Sequence, residues 1–253
     1  MSVSSVRVLA VSHRGSVRPR NEDRVGIGER QVSVSGSSTD LFESVLPLSN
    51  EPLPLLVCDG MGGHDGGELA SGLAIEELTA RLREAHDAAG IVAAIRAVNV
   101  LIVRRGGDSG QVRMGTTVAG LSVGLRRSFW FNVGDSRIYR YRNGFLRQLS
   151  TDDVGRDGGL TQSLGGTTDV VEVDPHLGEE PNTSGWSYLL CSDGITKVID
   201  LDEMEQSMKL EPRKAVAALF DRAMNVGAPD NISVLLVAML PSDVTDVPEA
   251  TRV

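Results

Sequence analysis

The chain of 253 residues is long enough for one large domain or two small ones, and its 41% hydrophobic and 23% charged residues are ordinary for a globular protein with a sizeable core. A formal charge of −9 argues against nucleic acid as the main partner, because phosphate backbones need clustered Lys and Arg. Two cysteines exclude a disulfide framework, no stretch approaches the length of a membrane span, and the opening "MSVSSVRVLAVSHRG" lacks a signal peptide's long apolar region, so a cytoplasmic protein is expected.

Residues 3–11 alternate, with Val6, Val8 and Ala10 on one face, and predict a first strand. The stretch from Gly28 to Pro52 is rich in Ser and ends in Pro; it reads as a loop, or a hairpin with a long tip, and carries no visible chemistry. Residues 53–58 predict a buried strand. From Gly67 the spacing turns helical, with Leu69, Leu73, Leu78 and Leu82 on one stripe. A second helix is predicted over 88–104, broken by the "GGDSG" that follows. Strands are predicted at about 115–124, 128–134, 137–142 and 145–149, the last two joined by the hairpin pair Asn143-Gly144. Strand 186–191 runs into an Asp-Gly turn, short helices fit 201–208 and 211–225, and "ISVLLVAML" closes the fold. Strands in runs with grouped helices favour α+β layers, with two antiparallel sheets and helices outside. No repeat or linker is visible. Residues 1–240 are therefore expected to form a single domain and 241–253 a flexible tail, and a monomer is expected.

Acids recur at the ends of apolar runs. They are Glu22 and Asp23 in "VRPRNEDR", Asp59 in "VCDGMGG", Asp135 in "NVGDSRIYR", Asp193 in "LLCSDGITKV" and Asp230 in "APDNISVLLV". One Asp-Gly at a strand end is an ordinary turn. Several carboxylates brought together raise each other's pKa unless cations are present, and hard oxygen ligands suit Mg²⁺ or Mn²⁺. Two cysteines and four scattered histidines argue against a zinc site of the usual kind. Cys58 and Cys191 lie in apolar runs and are expected to be buried, inert thiols.

The motifs "GSVRPRNED", "VCDGMGGHDGGELAS", "GTT", "NVGDSRIYR", "LLCSDGI" and "DNISVLLV" follow one another in that order. On them the chain resembles, from about residue 13 to 239, the metal-dependent Ser/Thr protein phosphatases of type 2C in their bacterial form. The resemblance implies two antiparallel β-sheets packed as a sandwich with helices on both outer faces, a four-layer αββα phosphatase domain. It also implies two Mn²⁺ or Mg²⁺ ions at one end, or three. Asp59 matches the ligand that bridges the two ions, and Gly60 a backbone carbonyl contact on the second. Asp193 and Asp230 match ligands of the first ion. Glu22 matches an acid on the second-ion side, partly through water, and Asp23 an acid behind the ligands. Asp135 matches the acid that helps hold a weaker third ion. Arg18 matches the phosphate-binding arginine, with Arg20 two residues on as the alternative.

The implied reaction is attack of a metal-activated water on phosphoserine or phosphothreonine in proteins, without a covalent phosphoenzyme. The implied partners are phosphoprotein substrates, a bacterial Ser/Thr kinase and that kinase's targets. Two departures stand out. Eukaryotic members carry a histidine just after the Asp-Gly, where this chain has Met61, as bacterial members do; His64 follows three residues on, a loop histidine of a kind more often structural than acidic. Between "LSTDD" at 149–153 and "LTQSLGG" at 160–166, where bacterial relatives insert a flap, only "VGRDGG" remains. The flap is thus nearly deleted, which implies an open site, and the short form is similar to phosphatases that oppose a kinase in bacterial secretion systems. Two other readings compete: a catalytically weak phosphoprotein-binding regulator, against which the presence of Asp59, Asp193 and Asp230 counts, and a hydrolase of small phosphate esters.

Overall fold

The first strand is buried on both faces, Val6, Val8 and Ala10 on one and Leu9 and Val11 on the other. A strand apolar on both faces needs cover on both, and layers follow from that requirement. The computed structural model describes residues 2–32, 41–62, 66–110 and 113–242. In chain order, β1 (Val3–His13), β2 (Arg24–Ile27), β3 (Arg30–Val32), β4 (Phe42–Pro47), β5 (Leu53–Cys58) and β6 (Gly60–Met61) precede helices α1 (Gly66–Leu82) and α2 (Ala88–Ser109). Then come β7 (Gly115–Thr116), β8 (Val118–Val123), β9 (Arg127–Val133), β10 (Arg137–Arg142) and β11 (Phe145–Gln148). β12 (Leu164–Gly165), β13 (His176–Pro181), β14 (Ser187–Cys191) and the short α3 (Asp193–Thr196) follow. Helices α4 (Leu201–Met208) and α5 (Pro212–Asn225) lead to the closing β15 (Ile232–Pro241).

The long strands form two six-stranded antiparallel sheets, ordered β11-β10-β14-β15-β1-β4 and β13-β9-β8-β5-β2-β3, beside a small β12-β7-β6 sheet. Between the two sheets, Val6 and Val8 meet Leu55 and Val57 of β5 and Leu235 and Val237 of β15. The outer face of β5, Leu56 and Cys58, lies under Ala74 and Leu78 of α1 and Ile95 and Ile102 of α2. Leu189 and Cys191 of β14 are covered instead by Met204 of α4 and Val216 and Leu219 of α5. Strand parity alone thus feeds three apolar layers, and the architecture is the αββα sandwich. No helix among the described residues is long and apolar enough to cross a membrane.

Several expected elements shift. The buried face of α1 is Ala70, Ala74, Ile75, Leu78 and Leu82, with Leu73 partly buried and Leu69 exposed, so the leucine stripe is wrong at its start. Small residues line that face because the helix sits close over β2: a Cβ on Gly26 would lie 2.9 Å from Ile75 Cγ2. Helix α2 continues past 104 through Gly106 and Gly107 to Gly110, which adopts φ 73°. An interior glycine costs about 1 kcal/mol without ending a helix, whereas a left-handed glycine caps one. The supposed loop from Gly28 to Pro52 contains β3 and β4, while residues 33–40 lie outside the described set. β4 pairs with β1 at a sheet edge, and all but its exposed last residue are half-buried, a placement that leaves little alternation in the sequence. β13, "HLGEEP", is an edge strand that escapes detection for the same reason. The chain past Pro241 is described only as far as Ser242, whose N–H donates to the Ser2 carbonyl (3.1 Å); the rest of the expected tail lies outside the described residues.

Leu78 and Leu69 separate the two versions of the α1 face. Leu78→Ala is expected to cost about 2–5 kcal/mol in urea unfolding, and Leu69→Ala no more than about 0.5 kcal/mol. Equal losses would contradict the buried face described above.

Candidate metal centre

Antiparallel register collects the acids. β5 ends at Cys58, so a doubly covered strand hands Asp59 to the end of its sheet. Cys58 pairs with Arg24, which brings Asp23 alongside. In the other sheet, β15 starts just after Asp230 and Asn231 and pairs Ile232 with His13, while Val234 pairs with Cys191, two residues before Asp193. Asp135 lies in the turn between β9 and β10. Arg18, Glu22, Asp59 and Gly60 border a cleft of about 780 Å³, and Asp135, Asp193 and Asp230 border the same space. Arg18, Gly60 and the acids singled out in the sequence other than Asp23 therefore face one cleft. Asp23 lies behind it, fully buried. A larger, shallower groove of about 1080 Å³ runs between α1 and α2, lined by Leu69, Leu73, Val100 and Leu101, and its acids stand among arginines, with Glu68 paired to Arg24 and Glu77 to Arg81.

The backbone around Asp59 is held from several sides. Its N–H donates to Thr117 Oγ1 (3.1 Å), and its carbonyl accepts from Thr117 N (2.9 Å) and Thr116 Oγ1 (2.9 Å). Thr117 Oγ1 lies 2.7 Å from Ser136 Oγ, next to Asp135. A Cβ on Gly60 would come within 2.6 Å of the Glu22 carbonyl oxygen, so only glycine admits the start of α1 this close to Glu22. Gly62 adopts φ 135°; Gly63 and His64 lie outside the described residues.

Asn231 lashes the loop before β2 to the start of β15. Its Oδ1 accepts from Glu22 N (2.8 Å), and its Nδ2 donates to the carbonyls of Arg14 (2.9 Å) and Arg20 (2.8 Å). Asp23 Oδ2 accepts from Ser192 Oγ (2.7 Å), which in turn accepts from Ser233 N (3.0 Å).

Charge is what this site lacks. Burial, then repulsion from Asp23, Asp193, Asp230 and Asp135, holds the Asp59 carboxyl well above the usual range. Burial pushes Asp23 up to about 7, against the hydrogen bonds from Ser192 and Ser233. Burial and Asp193 push Asp135 up to about 6, and burial raises Glu22. Asp23 Oδ1 and Asp193 Oδ1 are buried without a hydrogen-bond partner. Side-chain cations border the same space: Arg18 Nη2 lies 2.9 Å from Asp230 Oδ2, Lys197 pairs with Asp193 Oδ2, and Arg20 lines the cleft as well.

Among the described residues, no three His, Cys, Asp or Glu side chains close into a compact cage. The acids border a space rather than fill it. That spread suits Mg²⁺-like ions, which keep several waters and take few carboxylates each, and does not suit zinc. A buried carboxylate oxygen without a partner, as on Asp193, and carboxyls with raised pKa, as on Asp59 and Asp135, are the groups such ions would satisfy. The cysteines offer no alternative chemistry: both are buried and free, and burial pushes the Cys191 thiol up to about 12 and raises Cys58 as well.

Residues 34–241 match the family model for protein phosphatase 2C. The chain belongs to the protein phosphatase 2C family. It is 30% identical over 252 residues to the serine/threonine phosphatase stp of Listeria monocytogenes, a match spanning 88% of this chain and 92% of that protein. The catalytic domain of the serine/threonine protein phosphatase PstP, solved in complex with two manganese ions, is 28% identical with a TM-score of 0.75, covering 94% of this chain and all of that one. PppA of Pseudomonas aeruginosa, a key regulatory component of T6SS, is 27% identical with a TM-score of 0.77, covering 95% of this chain and 100% of that one.

Thr117, Asn231 and Lys197 escaped the sequence reading as site residues. The first two stand inside quoted motifs, "GTT" and "DNISVLLV", and Lys197 stands four residues after Asp193, one helical turn on.

The raised acids set a pH dependence. Asp23 near 7 and Asp135 near 6 in the folded protein exceed the unfolded value of about 4. The folded state then binds more protons, so this stability is present below about pH 4 and is lost as pH rises through about 6 to 7. The Tm of EDTA-treated protein is therefore expected to fall between about pH 5 and 8. Mn²⁺ is expected to raise it by more at pH 8 than at pH 5, because ions and protons compete for the same oxygens. A metal-free Tm that rises across that range in a thermal scan would contradict the picture.

Proposed function

We infer that this chain is a metal-dependent protein phosphatase acting on phosphoserine and phosphothreonine. The observation that carries the reading is one cleft bordered by Glu22, Asp59, Asp135, Asp193 and Asp230, in which burial raises the carboxyl pKa of Glu22, Asp59 and Asp135 beside the guanidinium of Arg18. Two divalent ions, Mn²⁺ or Mg²⁺, answer that need. Asp59 is the shared ligand in this proposal, with Glu22 and the Gly60 carbonyl toward one ion and Asp193 and Asp230 toward the other. Manganese is favoured by the two ions of the PstP domain. The ions, when bound, supply Lewis acidity that activates water and balances phosphoryl charge.

The chain's own groups do the rest. Thr116 and Thr117 fix the backbone of Asp59, so the carboxylate cannot follow the ions outward. Arg18, half-exposed and paired at its tip with Asp230, can turn its fork onto two phosphate oxygens. Met61 borders the cleft and carries no proton to give, and water is the proton donor we propose for the leaving alkoxide. Gly158 and Leu160, from the shortened turn, border the cleft. The substrates we propose are the targets of a Ser/Thr kinase, and the kinase itself. We place the protein in the cytoplasm, as a monomer with one domain over residues 1–240.

Hydrolysis of p-nitrophenyl phosphate and of a phosphothreonine peptide, compared in Mn²⁺, Mg²⁺, Ca²⁺ and EDTA, tests the reading. Turnover is expected with Mn²⁺ or Mg²⁺, none in EDTA, and nearly none for Asp59→Asn. Arg18→Ala is expected to raise KM about tenfold and to lower kcat less, as loss of uniform phosphate binding does. Arg20→Ala should change little. Full activity after chelation would overturn the metal reading, and full binding without turnover on either substrate would favour the phosphoprotein-binding regulator.

A further inference from the structure

Lys197 closes the short helix α3, four residues after Asp193, and its backbone N–H donates to the Asp193 carbonyl (2.9 Å). That turn fixes the root of the side chain, and the ammonium pairs with Asp193 Oδ2 at the edge of the cleft. The ammonium answers to more than one acid. Burial works against its charge, but the hydrogen bond to Asp193 and the charges of Asp193, Asp135 and Asp230 together hold its pKa above the usual lysine value. Seen from Asp135, Asp193 is the repelling acid and Lys197 the compensating cation. A positive charge tethered to α3 therefore pairs with Asp193 in the cleft that Asp135 also borders, and Asp135 is the acid on which a third, weaker metal ion was expected.

We propose that Lys197 is the built-in cation of the Asp135–Asp193 side of the cleft and disfavours a third divalent ion there. The inference rests on the two-ion reading above. Charge supports it: Glu22, Asp59, Asp135, Asp193 and Asp230, once ionised, are matched by two divalent ions and one ammonium, which leaves Arg18 for phosphate. The tether holds the ammonium at high local concentration, so an incoming ion competes with it for Asp193 Oδ2 and is repelled by it at Asp135. An ammonium neutralises these acids without acting as a Lewis acid, so this side of the cleft contributes charge balance rather than a further activated water. The Lys197 side chain is 58% exposed and can swing aside, so the effect is a competition and not an absolute block.

Equilibrium binding of Mn²⁺, read from the free-ion EPR signal, tests this in the full chain. Wild type and Lys197→Arg are expected to saturate at two ions. Lys197→Met, which removes the charge without adding a ligand, is expected to take up a further ion at least about tenfold more tightly than wild type does. Lys197→Ala should behave as Lys197→Met, and Lys197→Met/Asp135→Asn should return to two. Identical titrations of wild type and Lys197→Met would overturn the proposal, and so would a further ion that persists in the double variant. The two-ion reading fails separately: Asp59→Asn retaining both tight ions would overturn it, whatever the lysine variants do.

Discussion

Carboxylates that repel one another are held at one end of this sandwich because the strands that carry them cannot retreat. β5 is covered on one face by α1 and α2 and on the other by the inter-sheet core, so Leu55, Leu56, Val57 and Cys58 are all fully buried. Asp59 follows directly. Its backbone cannot move away from Asp193 and Asp230 without pulling a core strand out of register. The surrounding devices follow from the same constraint: the threonine bonds to the Asp59 backbone, the glycines that let α1 close over Glu22, and the three-point lash of Asn231. A site built this way is preorganised for cations and strained without them.

The same logic reaches the shortened turn. Val154 and Leu160 bridge across it, and Gly155 and Gly159 close it by a backbone hydrogen bond of 2.8 Å. At its base, Asp153 Oδ2 accepts from Gly134 N (2.9 Å) and Asp153 N donates to the Gly134 carbonyl (3.0 Å), while Asp153 Oδ1 meets Gln162 Nε2 and His176 Nε2, each at 2.9 Å. Gly134 precedes Asp135. The shortened turn thus braces the backbone just before that acid.

The core strands, and acids such as Asp59 and Asp193 that follow β5 and β14, were legible in the sequence because apolar runs buried on both faces are unambiguous; Arg18 and Glu22 lie instead in the loop before β2, and Asp135 in the turn between β9 and β10. Reading failed where burial is partial. β4 and β13 are edge strands, and α1 buries alanines where leucines suggested the stripe. Asn231, Thr117 and Lys197 are legible only in three dimensions. The partners of Asn231 and Thr117 include groups remote in sequence, and no periodicity records a hydrogen bond between Asn231 and Arg14 or between Thr117 and Asp59. Lys197 is the instructive case: its spacing from Asp193 is that of an ordinary helix ion pair, and only the position of Asp135 beside it gives the pair another meaning.

The central claim is that Asp59 stands between two divalent ions. Crystals grown with Mn²⁺ and measured at the manganese absorption edge locate the ions directly. Two anomalous peaks are expected, both within coordination distance of the Asp59 carboxylate, one also reached by Asp193 and Asp230 and the other by Glu22 and the Gly60 carbonyl. A saturated crystal with no peak at Asp59, or with peaks held only by other residues, would contradict it.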